Sequence, residues 1–432
     1  MSAALWVGIW LGALVGGALA VLLTRTEERR WSAVGSLAIA FGVSIGLSAA
    51  TGWGAAPLEA GVISVRAVTV TVGPAMILAA IGLVLVVGRR DAGDTELAWL
   101  LGVLACESFA LLAATDVLLI GAELAACVVL VLHARAQGQR AHLVYLGASA
   151  LLMSAALPVA WSGDHPELLA SLLIGAACLR LGLFPFSTGA LASLEGGLSL
   201  KALLPSLPFG GVLLLARVSP LLAERPALAT AICVALLGSA PLAGALAVSQ
   251  QRLGRSLGYT FAAAHALIAA GVLDAAGGQL GGHLLWAATL LTACGLGASA
   301  HLVALRVGDP DLGAFHGLHG SAPALSLAFL LFAVALAGAP GTVDFVADDV
   351  LLNTVHGAGL LGMALVVITL ALLGFNALRL QFHVFYGANT GRFASAALDL
   401  KGRERMGLTL VGLVIVLGGV APALLPLVNQ AH

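Results

Sequence analysis

Charge is what this sequence has least of: Asp, Glu, Lys and Arg together make up 9% of its 432 residues. A soluble globular domain carries roughly a quarter charged residues, so that class is excluded and little is left to build an extramembrane domain. Lysine is scarcer still, with only Lys201 and Lys401, both in expected loops. The five cysteines (Cys106, Cys127, Cys178, Cys233, Cys294) stand singly in apolar segments with no metal or redox spacing, which points to packing. No Walker motif, Gly-rich dinucleotide fingerprint or zinc-ligand spacing occurs, so nucleotide chemistry, a metal site and a cofactor on this chain are not expected, nor is a nucleic-acid partner.

What fills the chain is apolar sequence, 60% hydrophobic with a mean hydropathy of +1.05. Runs of about 20 residues recur from end to end, each long enough to cross a bilayer as a helix. They predict an all-α polytopic membrane protein forming one transmembrane domain over 1–432. Some fourteen spans are expected, at about 4–24, 32–50, 68–88, 95–114, 116–133, 143–161, 167–186, 203–222, 228–248, 257–275, 282–304, 323–347, 352–378 and 407–427. The first lacks a basic stretch before it and a clear cleavage site after it, and reads as a retained helix.

With these spans the basic residues sort by side. Those from Arg25, Arg29 and Arg30 through Arg89, Arg135, Arg252 and Arg306 to Lys401 and Arg405 fall on one face of the membrane. Arg66, Arg217 and Arg225 fall on the other. The positive-inside rule makes the first face cytoplasmic and puts both termini outside, in what is expected to be a bacterial inner membrane.

Two spans are interrupted. The run Cys178-Leu179-Arg180-Leu181-Gly182-Leu183-Phe184-Pro185-Phe186 sets an arginine and a proline inside an apolar segment. A charge at bilayer depth costs roughly 2.5–3.5 kcal/mol on insertion scales, and a broken helix frees backbone groups that only protein or cavity water can satisfy. The second break lies around Pro340, in Gly338-Ala339-Pro340-Gly341-Thr342-Val343-Asp344. Paired interruptions of this kind suggest inverted repeats with discontinuous helices, here halves of about 95–222 and 228–380. An ionisable residue stands two helices before each break, Glu123 and then His265. An arginine closes the helix after each break, Arg217 and then Arg379.

The buried polar candidates follow from this layout. Glu107, Asp116 and Glu123 lie in consecutive spans; Asp116 and Glu123, seven apart, share a helix face, with Asp116 near the outer end and open to water. Glu123 is deeper, where a lone carboxylate stays neutral or needs a cation, for which Arg180 is the natural partner; the pair either gates ions or simply staples two helices. Asp344 and Asp348, four apart, share a face while Asp349 points elsewhere; such close carboxylates suit proton exchange unless the segment emerges into water. His265 has the chemistry to carry a proton near neutral pH, or packs as a hydrogen-bonded core residue. His283 and His301, close to the ends of their helix, are weaker candidates.

Together these motifs resemble the antiporter-like membrane subunits of respiratory complex I, relatives of the Mrp-type cation/proton antiporters. Thr115-Asp116-Val117 to Gly121-Ala122-Glu123-Leu124 resembles the fifth helix with its key glutamate. Arg180–Phe186, with Ser187-Thr188-Gly189-Ala190-Leu191 and Glu195-Gly196-Gly197, resembles the broken seventh helix and the loop after it. Arg255 to Tyr259 and His265 resemble the tenth helix, Pro340-Gly341-Thr342 to Phe345 and Asp348 the broken twelfth, and Phe385-Tyr386-Gly387 the end of the thirteenth. The resemblance implies a relay of buried charges and waters at the membrane midplane that moves protons or sodium ions. It also implies work among other membrane subunits of a larger complex, with no redox cofactor on this chain, and the compact form that lacks a lateral helix.

The chain departs from the family where lysines are concerned. Arg180 stands in place of the seventh-helix lysine, and an arginine does not release its proton. The eighth-helix basic position falls on Pro205 or Phe209, and the eleventh helix has no lysine. Three readings therefore stay open: an ion-translocating subunit using Glu123, Arg180, His265 and Asp348; a non-conducting scaffold; or the membrane subunit of an inorganic-carbon uptake complex.

Overall fold

A computed structural model describes residues 3–24, 28–51, 58–87, 96–136, 138–187, 194, 210–222, 225–273, 279–355, 359–387 and 399–422. Among them are fifteen α-helices. The first seven are α1 (Ala3–Leu23), α2 (Arg29–Ala50), α3 (Ala67–Val86), α4 (Glu96–Leu112), α5 (Asp116–Ala136), α6 (Arg140–Ser162) and α7 (Pro166–Leu181). Then come α8 (Gly210–Leu221), α9 (Pro226–Ser249), α10 (Leu253–Leu273), α11 (Leu280–Val307), α12 (Pro323–Ala335), α13 (Val343–Thr354), α14 (Gly359–Phe385) and α15 (Gly402–Val420). Nine of these described helices are long and apolar enough to cross a membrane.

The expected twelfth span is two helices, α12 and α13, parted at Pro340. A small antiparallel hairpin departs from the all-helical expectation: β1 (Leu58–Ala60) pairs with β2 (Ile63–Val65), Leu58 opposite Val65, across a turn at Gly61. Its Ile63 bridges to Ala113 at the end of α4. The hairpin therefore ties the α2–α3 connection to the same end of the bundle as Ala113. Residues 188–193 and 195–209, with the Thr188–Leu191 and Glu195–Gly197 motifs, Lys201, Pro205 and Phe209, lie outside the described residues.

Helices α3, α10 and α11 form the centre of the bundle. They are buried around nearly their whole circumference, whereas α1, α6 and α14 turn broad apolar faces outward, as lipid-facing helices do. Helix α10 packs on α7, α8, α9, α11 and α14, and α11 packs on α3, α12, α13 and α15. These two neighbours thus connect the two interrupted segments.

The arginines sort to opposite ends of the bundle. At one end Arg30 donates to Val87 O (2.5 Å), Arg306 pairs with Glu404 (2.6 Å) and Arg379 donates to Gln250 O (2.6 Å). At the other, Arg66 reaches Ala114 O (3.4 Å), Arg217 donates to Ala113 O (2.6 Å) and Arg225 pairs with Glu167 (2.5 Å).

Candidate functional site: two interrupted helices and their buried charges

Helix α7 stops because Gly182 takes a left-handed conformation (φ 66°, ψ 34°) and returns its N–H to Cys178 O, a cap that suits a residue without Cβ. Pro185 follows, and an α-helix cannot run through it undisturbed. Arg180 is thereby held in the last turn of α7, its side chain only 6% exposed.

Its guanidinium forks between two helices. Nη2 donates to Glu107 Oε1 on α4 (3.0 Å), and Nη1 pairs with Glu123 Oε2 on α5. Both glutamates are buried, and Glu107 Oε2 and Glu123 Oε1 have no hydrogen-bond partner among the described residues. The expected Arg180–Glu123 pair is therefore a triad with Glu107 as third member. Its fourth wall is Gly210, the first described residue of α8. A Cβ there would overlap Glu123 Oε2 and Arg180 Nη1, so α8 closes over the ion pair only because this residue has no side chain.

Asp116 does not join this cluster. It opens α5, is a third exposed, and faces Arg217 at 3.6 Å near the Ala113 end of the bundle.

His265, in the middle of α10, bonds through Nδ1 to Leu181 O at 3.0 Å, the carbonyl one residue beyond Arg180. A carbonyl only accepts, so Nδ1 carries hydrogen and, in the neutral ring, Nε2 is a lone-pair acceptor. That Nε2 is buried and has no partner among the described residues. A small recess adjoins the break, lined by Gly182, Leu183, Ser187, Ser239, Ala243 and Ala262 among others.

The second interruption uses the same backbone device. After α12, Gly338 is left-handed (φ 73°), its N–H bonding Ala335 O, and Ala339 N bonds Val334 O. Pro340 and Gly341 (φ 86°) complete the break, and α13 starts from Thr342. On α13, Asp344 and Asp348 are both buried while Asp349 is exposed, so the paired-face expectation holds and the segment does not emerge into water at Asp344 and Asp348.

Asp344 Oδ1 is 2.9 Å from Thr292 Oγ1 of α11. Asp348 has both oxygens buried without a hydrogen-bond partner among the described residues, and one lies where a Cβ on Gly338 would come within 2.5 Å of it. No described cation pairs with either aspartate.

Sequence reasoning missed Thr292 and Gly210, whose parts depend on neighbours far along the chain. It also missed the buried Glu96–His133 contact between the start of α4 and the end of α5 (3.7 Å). The available signal was that antiparallel neighbours bring those two ends together. His283 and His301, the weaker candidates, are both buried on α11.

Interrupted helices with buried ionisable groups at both breaks, inside a polytopic bundle, define a membrane protein of the ion-translocating type. The transmembrane family of NADH:quinone oxidoreductases and Mrp antiporters matches residues 152–374, just over half of the chain, and the chain belongs to that family. The matched stretch holds Arg180, His265, Asp344 and Asp348, while Glu107 and Glu123 precede it.

No curated protein matches this chain. Among solved structures, a chain of respiratory complex I from Thermus thermophilus is 21% identical, with a TM-score of 0.86 and 98% of each chain covered. A chain of the Mrp complex from Dietzia sp. is 15% identical, with a TM-score of 0.76, 100% of this chain and 97% of that one covered. A chain of the archaeal membrane-bound sulfane sulfur reductase is 17% identical, with a TM-score of 0.79, 97% of this chain and 76% of that one covered. At these identities the likeness is one of fold.

Proposed function

We propose that this chain is a proton-translocating, antiporter-like subunit that works among other membrane subunits of a complex I-related assembly. The observation that carries the reading is the position of His265. It sits on the central helix between the two breaks and is bonded to the carbonyl next to Arg180, so a change in its protonation reaches the first ion cluster directly. Glu123 and Arg180 form the gate, and His265 and Asp348 exchange protons between it and the second break. Each of the three solved relatives named above is part of a larger complex, which supports partner subunits here as well. The end of the bundle bearing Arg30, Arg306 and Arg379 faces the cytoplasm by the positive-inside rule, and α1 and α15 have their outer ends on the opposite side.

The test is proton flux in vesicles containing the purified assembly. Asp348→Asn and His265→Ala should each lower it by about 100-fold, the scale on which positioned proton carriers contribute to transfer. Undiminished flux in both would remove these residues from the path and leave the scaffold reading, in which Glu123→Gln weakens assembly and nothing else.

A further inference from the structure

The arginine that replaces a releasable cation leaves open where the exchangeable proton of the first cluster resides. A guanidinium stays charged under all conditions a protein survives. Arg180 therefore contributes one fixed positive charge, and two buried carboxyls contact it. If both were ionised, the cluster would hold an uncompensated negative charge within an apolar bundle, where burial of charge without a partner is strongly unfavourable.

The hydrogen-bond inventory points the same way. Each glutamate uses one oxygen on Arg180, and Glu107 Oε2 and Glu123 Oε1 are left buried and unpartnered. The two carboxyl groups are held against one guanidinium from adjacent helices, α4 and α5. Two carboxylates are acceptors only and cannot bond; one added hydrogen turns them into a donor and an acceptor.

No other described cation reaches the glutamates. Cys106 adjoins Glu107 in α4, and Cys127 stands four residues beyond Glu123 in α5 with its thiol facing Leu146 O on α6 at 3.6 Å. Helix α8 presents Gly210, and α10 presents His265 one residue further along α7.

We infer that Glu107 and Glu123 share one bound proton, with Arg180 as a permanent countercation, so that this cluster stores its exchangeable proton on carboxyl oxygen. Release breaks one carboxyl O–H bond, passes the proton to a water or base of the relay, and leaves the cluster with one net negative charge. Uptake reverses this. The inference rests on the ion-translocating reading for its purpose, but the bound proton is observable without flux.

Infrared spectroscopy of the assembly in lipid at neutral pH and in sodium-containing buffer tests it. The wild type should show the C=O stretch of a neutral glutamic acid, shifted on exchange into heavy water. In wild-type-minus-variant difference spectra, which cancel the bands of Asp344, Asp348 and acids of other subunits, Glu107→Gln and Glu123→Gln should each remove that band, because either leaves a single carboxylate balanced by Arg180. Glu107→Asp, which keeps a carboxyl, should retain a displaced band and guards against a glutamine variant that fails to fold. A wild type without the band, as when sodium occupies the pair, overturns the assignment, and so does a band that survives in either glutamine variant. A band present in an assembly that moves no protons removes the transport reading and keeps the proton site. Flux without the band does the opposite.

Discussion

The two breaks share a backbone and differ in electrostatics. Both end a helix with a left-handed glycine, Gly182 or Gly338, both contain a proline, and both keep acidic side chains buried beside them. At the first, Glu107 and Glu123 are joined to a cation. At the second, Asp344 has a threonine hydroxyl and Asp348 has no hydrogen-bond partner among the described residues. The difference teaches that the backbone interruption creates the polar site, while the neighbouring helices decide whether its charge is held or left free to be neutralised. A charge-balanced cluster stores energy in its pairing; an unpaired acid loses little when it is made permanently neutral.

Stability should separate the two sites sharply. Arg180→Leu strands two buried carboxyls and should cost about 3–5 kcal/mol, the usual penalty for removing one partner of a buried pair, read as a drop in thermal unfolding temperature or in folded yield. Gly210→Ala should come next. Its methyl group overlaps the Arg180–Glu123 pair, and overpacking of this kind costs roughly 1–3 kcal/mol; the pair must part to admit it, so proton flux should fall as well. Asp348→Asn should have the smallest effect on stability, under about 1 kcal/mol, because no ion pair or hydrogen bond to a described residue is lost. A loss for Asp348→Asn as large as that for Arg180→Leu would mean that the second break also holds a balanced charge, and the contrast would fail.

Much of this arrangement was legible beforehand because membrane sequence is restrictive. Arg180 and Pro185 stood out since an apolar run tolerates neither without a reason, and Glu123 followed as the deep acid that needs a cation. The same logic placed Asp344 and Asp348 on one face and Asp349 off it. Glu107 was visible as an acid in a span and Asp116 as one near the outer end of its span, yet nothing local tied Glu107 to Arg180. The fold sends the first into the core beside Arg180 and the second to the bundle end beside Arg217.

Composition and the spacing of apolar runs, taken alone, determined that the chain is a polytopic helical membrane protein interrupted near Pro185 and Pro340. They did so because a bilayer admits few backbone solutions and penalises each exception. Tertiary packing decided the rest. It made Glu107 a partner of Arg180 across 73 positions of sequence, set Gly210 beneath the pair, and bound His265 to a carbonyl 84 positions away. Such contacts depend on which helices touch, and helix adjacency in an apolar bundle is chosen by shape and small residues at the interfaces, which no local pattern in the chain records.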